Sequence, residues 1–371
     1  MVPILQLEKA PVFFDYIRIN SSLISDTTFL GEPKIGASNK LFVGKNDEVY
    51  AFSVLRFDNF TALPDIIDSL IGANLRLSCA SNSPVSNDTN LSVSLLESDA
   101  GENWSEENSN INNFSLSGFI QEHLGVLKCE PDDTTMSQLY LELQDAFLSL
   151  LTSWRDTLNT NCGIIIQQID TTMDAIYYLS SRESSSSPYI EVKYIENGDT
   201  LKKSIYPTAD LSIIDFRENS TTPERLGVNN GKALYSFLKF DLSDTLINKN
   251  CVIGKSFLCL KVDTALTRNY DGDFLLYLTV LDSALEWDSI DDIPGFDYAH
   301  ASEEITNGDT SIVIEIKKVV QGFTSGDRDN FGVVLWAPIS TLNISELSIF
   351  SSSCFYPEKG PYLELLIMKE E

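Results

Sequence analysis

Short runs in which apolar and polar residues alternate recur along most of the chain. Examples are Leu75-Arg76-Leu77-Ser78-Cys79, Leu91-Ser92-Val93-Ser94-Leu95 and Ser311-Ile312-Val313-Ile314-Glu315-Ile316. A period of two, with many Val, Ile, Tyr and Phe residues, is typical of strands buried on one face. The pattern therefore predicts an all-β protein in which antiparallel sheets pack face to face as sandwiches.

Two segments follow helical spacing instead. In residues 136–158, large apolar side chains lie three or four positions apart, and residues 316–323 repeat this spacing over a shorter length. This spacing places the apolar side chains on one face of a helix. We predict one helix in each half of the chain, with apolar positions Leu139, Leu143, Phe147, Leu151 and Trp154 in the first and Val319, Val320 and Phe323 in the second.

The sequence contains an internal repeat. Ser53-Val54-Leu55-Arg56-Phe57-Asp58 corresponds to Ser236-Phe237-Leu238-Lys239-Phe240-Asp241 at an offset of 183 residues, and the same offset relates Trp104 to Trp287. Further on, Asn161-Cys162-Gly163 corresponds to Asn330-Phe331-Gly332. A repeat of this length indicates two copies of one fold.

We predict three segments from this repeat. Residues 1–24 have no evident counterpart and form an N-terminal arm, residues 25–198 form a first β-sandwich, and residues 199–371 form a second. The boundary lies at Glu196-Asn197-Gly198-Asp199, a sequence that favours a tight turn.

Motifs recur in a fixed order within the copies: L-[KR]-F-D, then N-x-G, then Ser181-Arg182-Glu183, then P-Y-[IL]-E-[VL]. In this order they resemble the DNRLRE (disaggregatase-related) domain, over two tandem copies at about 25–194 and 201–371. The second copy departs from the pattern, because Ser351-Ser352-Ser353-Cys354 replaces the S-R-E motif. The resemblance implies a jelly-roll β-sandwich in each copy, as found in phage or virion structural proteins and bacterial surface proteins.

The net charge of the chain argues against anionic binding partners. The chain of 371 residues carries 26 basic and 54 acidic side chains, a net charge of −28. Because this charge repels phosphate, we expect neither nucleic acid nor a membrane surface as a partner. No apolar run reaches the roughly 18 residues of a membrane span. The N-terminal residues lack the features of a secretory signal, so we expect cytoplasmic synthesis without one.

Candidate chemistry is sparse. Neither histidine lies in a catalytic motif, the six cysteines form no CxxC pair, and acidic pairs such as Glu106-Glu107 are interpreted as solvated surface. We therefore expect no enzymatic activity and no cofactor. Calcium is the one ion that the acidic turns at 271–273 and 327–330 could hold through oxygen ligands.

Trp104 and Trp287 occupy the same repeat position, each beside acidic residues. Exposed rings there would stack on a sugar, whereas buried rings would be packing anchors of the sandwich. The pairs Phe57-Asp58 and Phe240-Asp241 are predicted structural anchors, since strand alternation directs each Phe inward.

The arm carries Phe13, Phe14, Tyr16 and Ile17. We expect these residues to dock to a partner protein or to add a strand to a neighbouring sheet. The alternative is that the arm completes the first sandwich.

These observations predict a non-enzymatic structural component of a phage or virus particle, or of a similar extracellular assembly. Capsid decoration, neck and tail-fibre positions all fit. The expected partners are other structural proteins, with the chain oligomeric in its assembly. The alternative function is a tandem carbohydrate-binding or adhesion module that recognises a cell-surface glycan.

Overall fold

A computed structural model provides the coordinates. The structure describes residues 12–19, 24–31, 36, 38–46, 49–58, 60, 63, 69–79, 89–96, 104–106, 114, 120–129, 138–143, 145–156, 163–169, 174–216, 222–229, 231–242, 252–268, 274–285, 299–338 and 345–370.

The fold is all-β, as predicted, and the strands pair antiparallel. The strands of the chain's first part are β1 (Val12–Ile19), β2 (Ile24–Leu30), β3 (Lys40–Lys45), β4 (Val49–Arg56), β5 (Ser69–Ser78), β6 (Thr89–Leu96), β7 (Ile120–Cys129), β8 (Gln138–Leu143), β9 (Ile164–Gln168), β10 (Ala175–Ser180), β11 (Tyr189–Glu196), β12 (Asp199–Ile205) and β13 (Ala209–Phe216). Those of the remaining part are β14 (Arg225–Val228), β15 (Leu234–Phe240), β16 (Val252–Lys261), β17 (Phe274–Val280), β18 (Ala301–Ile305), β19 (Ser311–Glu315), β20 (Val333–Trp336), β21 (Leu347–Phe350) and β22 (Tyr362–Glu370).

Helices account for little of the described chain. They are α1 (Asp145–Asp156), α2 (Lys317–Ser325) and a 3-10 turn at Pro357–Lys359. No helix among the described residues combines the length and apolar character needed to cross a bilayer.

The chain divides into two compact units. The first unit comprises Glu32–Asn219 with Ile339–Asn343. Its larger sheet has the order β10-β3-β4-β9-β6-β7, with β13 added to β4, and its smaller sheet has the order β12-β11-β5-β8. Apolar side chains of both sheets enter one core, among them Leu55, Val93, Leu75 and Val192. This shared core makes the unit a β-sandwich.

The second unit comprises Met1–Gly31, Ser220–Pro338 and Ile344–Glu371. Its sheets have the orders β1-β22-β16-β19 and β18-β17-β20-β15-β2, with the pair β14-β21 beside them. One core again draws on both larger sheets, for example through Ile19, Leu365, Leu258 and Leu278. The second unit is therefore built on the same plan as the first.

The units do not follow the predicted segment boundaries, because the repeats exchange their N-terminal strands. β1 and β2 precede the first repeat but pair with β22 and β15 in the second unit. β12 and β13 precede the second repeat but pair with β11 and β4 in the first unit. Residues 12–30 thus have a counterpart in residues 199–216, which corrects the interpretation of residues 1–24 as an arm without an equivalent.

The predicted boundary is a hairpin turn inside the first unit. Asn197 and Gly198 have positive φ angles of 51° and 84°, and they connect β11 to β12, in which Glu196 pairs with Asp199. The expectation of a tight turn is confirmed, since Asn and Gly tolerate this backbone conformation. The turn joins two strands of one sheet and separates no units.

The first helix is shorter than its apolar spacing suggested. Residues 138–143 form strand β8, in which Leu139, Leu141 and Leu143 face the core, and the helix begins only at Asp145. Leucines four residues apart satisfy both a helical and a strand pattern, and the intervening Leu141 completes the alternation of a strand. The second helix lies close to its predicted position, at Lys317–Ser325.

Candidate functional site

The side chains of Glu106, Glu183 and Asp210 converge in the first unit, together with Arg182; we call these four residues the carboxylate cluster. Glu106 lies in the segment 104–106, Arg182 and Glu183 lie in the turn after β10, and Asp210 lies on β13. Because β13 comes from the other repeat, the cluster forms where the exchanged strand meets the rest of its unit.

Asp210 is the buried member, with 1% of its surface exposed. Its carboxylate accepts a hydrogen bond of 2.5 Å from the backbone N–H of Arg182. Its own backbone N–H donates to Glu106 Oε1 at 2.8 Å. The strand is therefore held by two contacts, one through the Asp210 carboxylate and one through its main chain.

Arg182 connects the remaining groups. Its Nε donates to Glu183 Oε1 at 2.9 Å and its Nη2 donates to Glu106 Oε2 at 3.0 Å. Its Nη1 donates to the backbone carbonyl of Thr208, just before β13. One planar guanidinium can serve several acceptors at once because its donors form a rigid fork. The Arg182 side chain thus ties both carboxylates to the exchanged segment.

The cluster retains a proton near neutral pH. Burial raises the pKa of Asp210 to about 8, and the nearby Glu183 and Glu106 carboxylates add to this effect, although the Arg182 backbone N–H opposes it. Burial also raises the pKa of Glu106, against the lowering effect of the Asp210 backbone N–H. Asp210, the most buried of the three carboxyl groups, therefore holds the proton near neutral pH.

Within the described part of the chain, Glu106, Glu183 and Asp210 are the one group of three acidic, His or Cys residues placed to share an ion, with oxygens within 4.8 Å of one another. The Arg182 fork already contacts two of the carboxylates, and a backbone N–H occupies the third. Chemically, the arrangement pairs one guanidinium with two carboxylates and fixes a strand.

The second unit has an equivalent contact. The strand registers place Asp26 opposite Leu238 and Asp210 opposite Leu55, which are equivalent repeat positions. Asp26 accepts from the Ser352 backbone N–H at 2.6 Å and from the Ser352 hydroxyl at 2.8 Å. We call each contact a clasp: an Asp on the exchanged strand bound to a serine-led turn, at 181–184 in the first unit and 351–354 in the second.

The two turns share a backbone geometry despite their different side chains. The N–H of Ser184 donates to the carbonyl of Ser181, and the N–H of Cys354 donates to that of Ser351. Burial raises the pKa of Asp26, whereas the two donors of Ser352 lower it. The S-R-E motif and its departure in the second copy are therefore two versions of one structural element.

Trp104 lies in the interior, with 3% of its surface exposed, so it offers no face to a sugar in this structure. The Arg56 guanidinium stacks on its ring at 4.4 Å and donates to its carbonyl at 2.7 Å. This placement favours the packing interpretation. Trp287, the other predicted ligand residue, lies outside the described residues.

The predicted anchors lie in or beside the cores. Phe57 is buried in the core of the first unit and Phe240 in that of the second. Asp58 accepts a hydrogen bond of 2.7 Å from the Thr208 hydroxyl, so it too contacts the exchanged segment. Asp241 follows the end of β15.

The predicted docking residues Phe13, Phe14, Tyr16 and Ile17 lie on β1, which pairs with β22 of the second unit. Ile17 packs against the core, whereas Tyr16 is 64% exposed. The side chains of Phe13 and Phe14 lie outside the described residues. β1 thus adds to a sheet, but to that of the second unit and not to the first sandwich.

Residues 271–273 and 327–330 are the two turns predicted to be able to bind calcium. Residues 271–273 lie outside the described residues. In the other turn, Asp327 accepts from the Ser325 hydroxyl at 2.7 Å, and the Asn330 amide donates to the Phe240 carbonyl at 2.7 Å. These side chains serve contacts within the protein and do not converge on one point.

Sequence reasoning did not find Asp26 and Asp210. Their partners are 326 and 28 residues away, and the equivalence of the two Asp residues emerges only when the strand registers are aligned. Glu106, interpreted as solvated surface, is instead bound into the cluster. The one available signal was the S-R-E motif.

Comparison of the sequence with protein-family models and with curated proteins finds no match. The DNRLRE resemblance and the jelly-roll topology therefore stay predictions.

Proposed function

We propose that this protein is a non-enzymatic structural component of a phage or virus particle, or of a similar extracellular assembly. The observation that carries the proposal is the exchange of N-terminal strands between the repeats. Each sandwich is completed by two strands from the other repeat's side of the chain, and each exchanged segment is fastened by a clasp. Each sandwich therefore depends on residues from both repeats, which suits a component that keeps its fold within a particle.

The chemistry of the clasps supports a structural role. The polar groups of the carboxylate cluster bind one another and the backbone of β13. A catalytic carboxyl pair instead leaves space for a substrate between its members. The net charge of −28 also suits a particle exterior, where like charge keeps assemblies dispersed.

The test is association of the native protein with particles. Extracellular material from cells that express the gene in its natural context is banded on a density gradient, and the chain is quantified by mass spectrometry and immunogold labelling. We expect a fixed copy number per particle in the particle band. An abundant soluble protein of similar mass serves as the control, and recovery of both proteins only in the unbanded fraction would refute the proposal.

A second candidate is a glycan-binding module, favoured by a row of side chains on the small sheet of the first unit. Tyr140, Arg76 and Tyr189 are cross-strand neighbours, and the rings of Tyr189 and Tyr206 lie 5.6 Å apart. Tyr140 and Tyr206 are about half exposed, and Arg76 lies over the Tyr140 ring at 4.5 Å. Aromatic rings beside polar groups suit recognition of a sugar surface.

A glycan array probed with the wild-type chain and with Tyr140→Ala/Tyr206→Ala tests this candidate. We expect selective binding that the double variant loses. Tyr16→Ala on the second unit is the matched control, because it also removes an exposed tyrosine from a sheet surface. Equal signals from all three proteins would exclude the tyrosine row as a glycan site.

A further inference from the structure

Residues 12–30, the exchanged segment of the second unit, supply an edge strand to each of its two larger sheets. β1 is the outermost strand of the order β1-β22-β16-β19, and β2 is the outermost strand of the order β18-β17-β20-β15-β2. Each has a single strand neighbour in its sheet. Residues 12–30 can therefore be supplied or withdrawn without changing the order of the remaining strands.

The second unit depends on this segment for its edges and its core. β1 pairs with β22 through eight registered positions, from Val12 to Ile19, and β2 pairs with β15 through seven, from Ile24 to Leu30. Ile19 is fully buried in the core, and Ile17 packs against it. Without the segment, β22 and β15 would each present an unpaired edge, and the core would lose the Ile19 side chain. The second unit therefore needs a pair of strands at these edges.

The first unit binds its own exchanged segment through the same contacts. The Ser212 hydroxyl on β13 accepts from the Phe42 N–H at 2.8 Å and lies 3.1 Å from the Ser53 hydroxyl. In the second unit, the Thr28 hydroxyl on β2 accepts from the Gly227 N–H at 3.0 Å and lies 3.5 Å from that of Ser236. Together with the two clasps, these hydroxyl contacts show that both units bind their exchanged segment in the same way.

Nothing in these contacts requires the segment to come from the same chain. The contacts of residues 12–30 are with residues that every copy carries, and a segment delivered by a second copy would make the same set. Nine residues separate Leu30 from Lys40, a connector with a reach of roughly 30 Å when extended. In exchange between copies, this connector passes from one copy to the other.

We propose that residues 12–30 of one copy complete the second unit of another copy, so that chains link head to tail by strand exchange. The acceptor is the edge formed by β22 and β15, and the Asp26–Ser352 clasp fastens the donated strand. The partner is thus a second copy of this chain. This inference rests on the proposed structural function and specifies how the assembly is joined.

The test uses full-length chains with one introduced cysteine each. Ser25 and Lys239 pair across β2 and β15, and both are exposed. Opposed residues of an antiparallel pair have a Cα separation that a disulfide can span. Ser25→Cys in one tagged copy and Lys239→Cys in a differently tagged copy are coexpressed, purified and oxidised. A bridge between them forms when β2 of one copy lies against β15 of the other.

We expect a disulfide-linked species of twice the 41.3 kDa chain mass that carries both tags and increases with protein concentration. Ser25→Cys combined with Ser302→Cys is the matched control, since Ser302 is exposed on β18, at the opposite edge of the same sheet. The wild-type chain, oxidised in parallel, accounts for its own cysteines. A linked species in the 25–239 mixture that exceeds both controls supports the proposal.

The double variant Ser25→Cys/Lys239→Cys establishes that the pair can bridge within one chain. Arg18→Cys with Glu364→Cys, opposed across β1 and β22, gives an independent second pair. If either double variant bridges internally while its two separate single variants yield no mixed dimer above the controls, the proposal is overturned. Because the experiment uses purified protein and no particle, this failure is distinct from failure of the particle-association test.

Discussion

The two clasps perform one task with different chemistry. In both units an Asp on the exchanged strand accepts the backbone N–H of the second residue of a serine-led turn. The second unit adds only the Ser352 hydroxyl, whereas the first surrounds Asp210 with Glu106, Glu183 and Arg182. In the second unit, the Ser352 hydroxyl hydrogen-bonds the Asp26 carboxylate and adds no charge. In the first unit, the contact that fixes β13 depends on the protonation of Asp210.

The comparison assumes equivalent cores, and the largest expected effect tests that assumption. Phe57→Ala and Phe240→Ala each remove a buried ring from equivalent positions. We expect each to lower the free energy of unfolding of its own unit by about 3–5 kcal/mol. Urea unfolding followed by hydrogen exchange in peptides of each unit measures the losses. A loss confined to one variant would show that the two anchors are not equivalent.

The cluster should give the first unit a stronger pH dependence than the second, because the shift in the pKa of Asp210 is the larger one. Burial raises the pKa of Asp210 to about 8 in the native state, well above the usual range of an Asp carboxyl, so the native state holds a proton that the unfolded chain releases. This contribution is fully present below about pH 4 and is lost as the pH rises to about 8. Asp210→Asn removes the titration and keeps an acceptor for the Arg182 N–H.

We therefore expect the free energy of unfolding of Asp210→Asn, relative to that of wild type, to rise by roughly 2–4 kcal/mol between pH 5 and pH 8. Exchange of the amides in β13 at a series of pH values measures the difference. Asp26→Asn in the second unit is the matched control, with a shallower change. A wild-type-to-variant difference that is constant with pH would contradict the interpretation that Asp210 holds the proton.

Breaking the simpler clasp should cost less than removing an anchor. Asp26→Ala leaves the Ser352 N–H and hydroxyl without their acceptor, and an unsatisfied buried donor costs about 1–3 kcal/mol. Ser352→Ala removes only the hydroxyl contact and should lose less. Thermal unfolding of the two variants beside wild type checks the order. Equal losses would mean that the hydroxyl alone holds β2.

The smallest effect comes from converting one clasp into the other. Arg182→Ser with Glu183→Ser gives the first unit the serine-rich turn of the second. We expect less than about 1 kcal/mol change near pH 5, because an exposed ion pair contributes little, together with a weaker pH dependence at Asp210. Hydrogen exchange of β13 at pH 5 and pH 8 reports both. An undiminished pH dependence would assign the effect to Glu106 and burial.

The sequence predicted the fold class and the repeat, because alternation and spacing are local signals. It could not predict which strands pair. An alternating pattern states which face of β1 is buried, but not that its neighbour is β22, more than three hundred residues later. The same limit hid the cluster, since Asp210 meets Arg182 only after β13 joins β4. Glu183 was visible within a motif, but its role depended on that pairing.

The pairing of β1 with β22 also governs how the chain can be made. A ribosome adds about 5–20 residues per second, so residues 12–19 emerge roughly 20–70 s before residues 362–370. For that interval the first strands lack their native neighbours, and the second unit cannot close until nearly the whole chain has been translated. Synthesis on crowded polysomes would bring such waiting strands from adjacent nascent chains together, a setting in which assembly can begin before release.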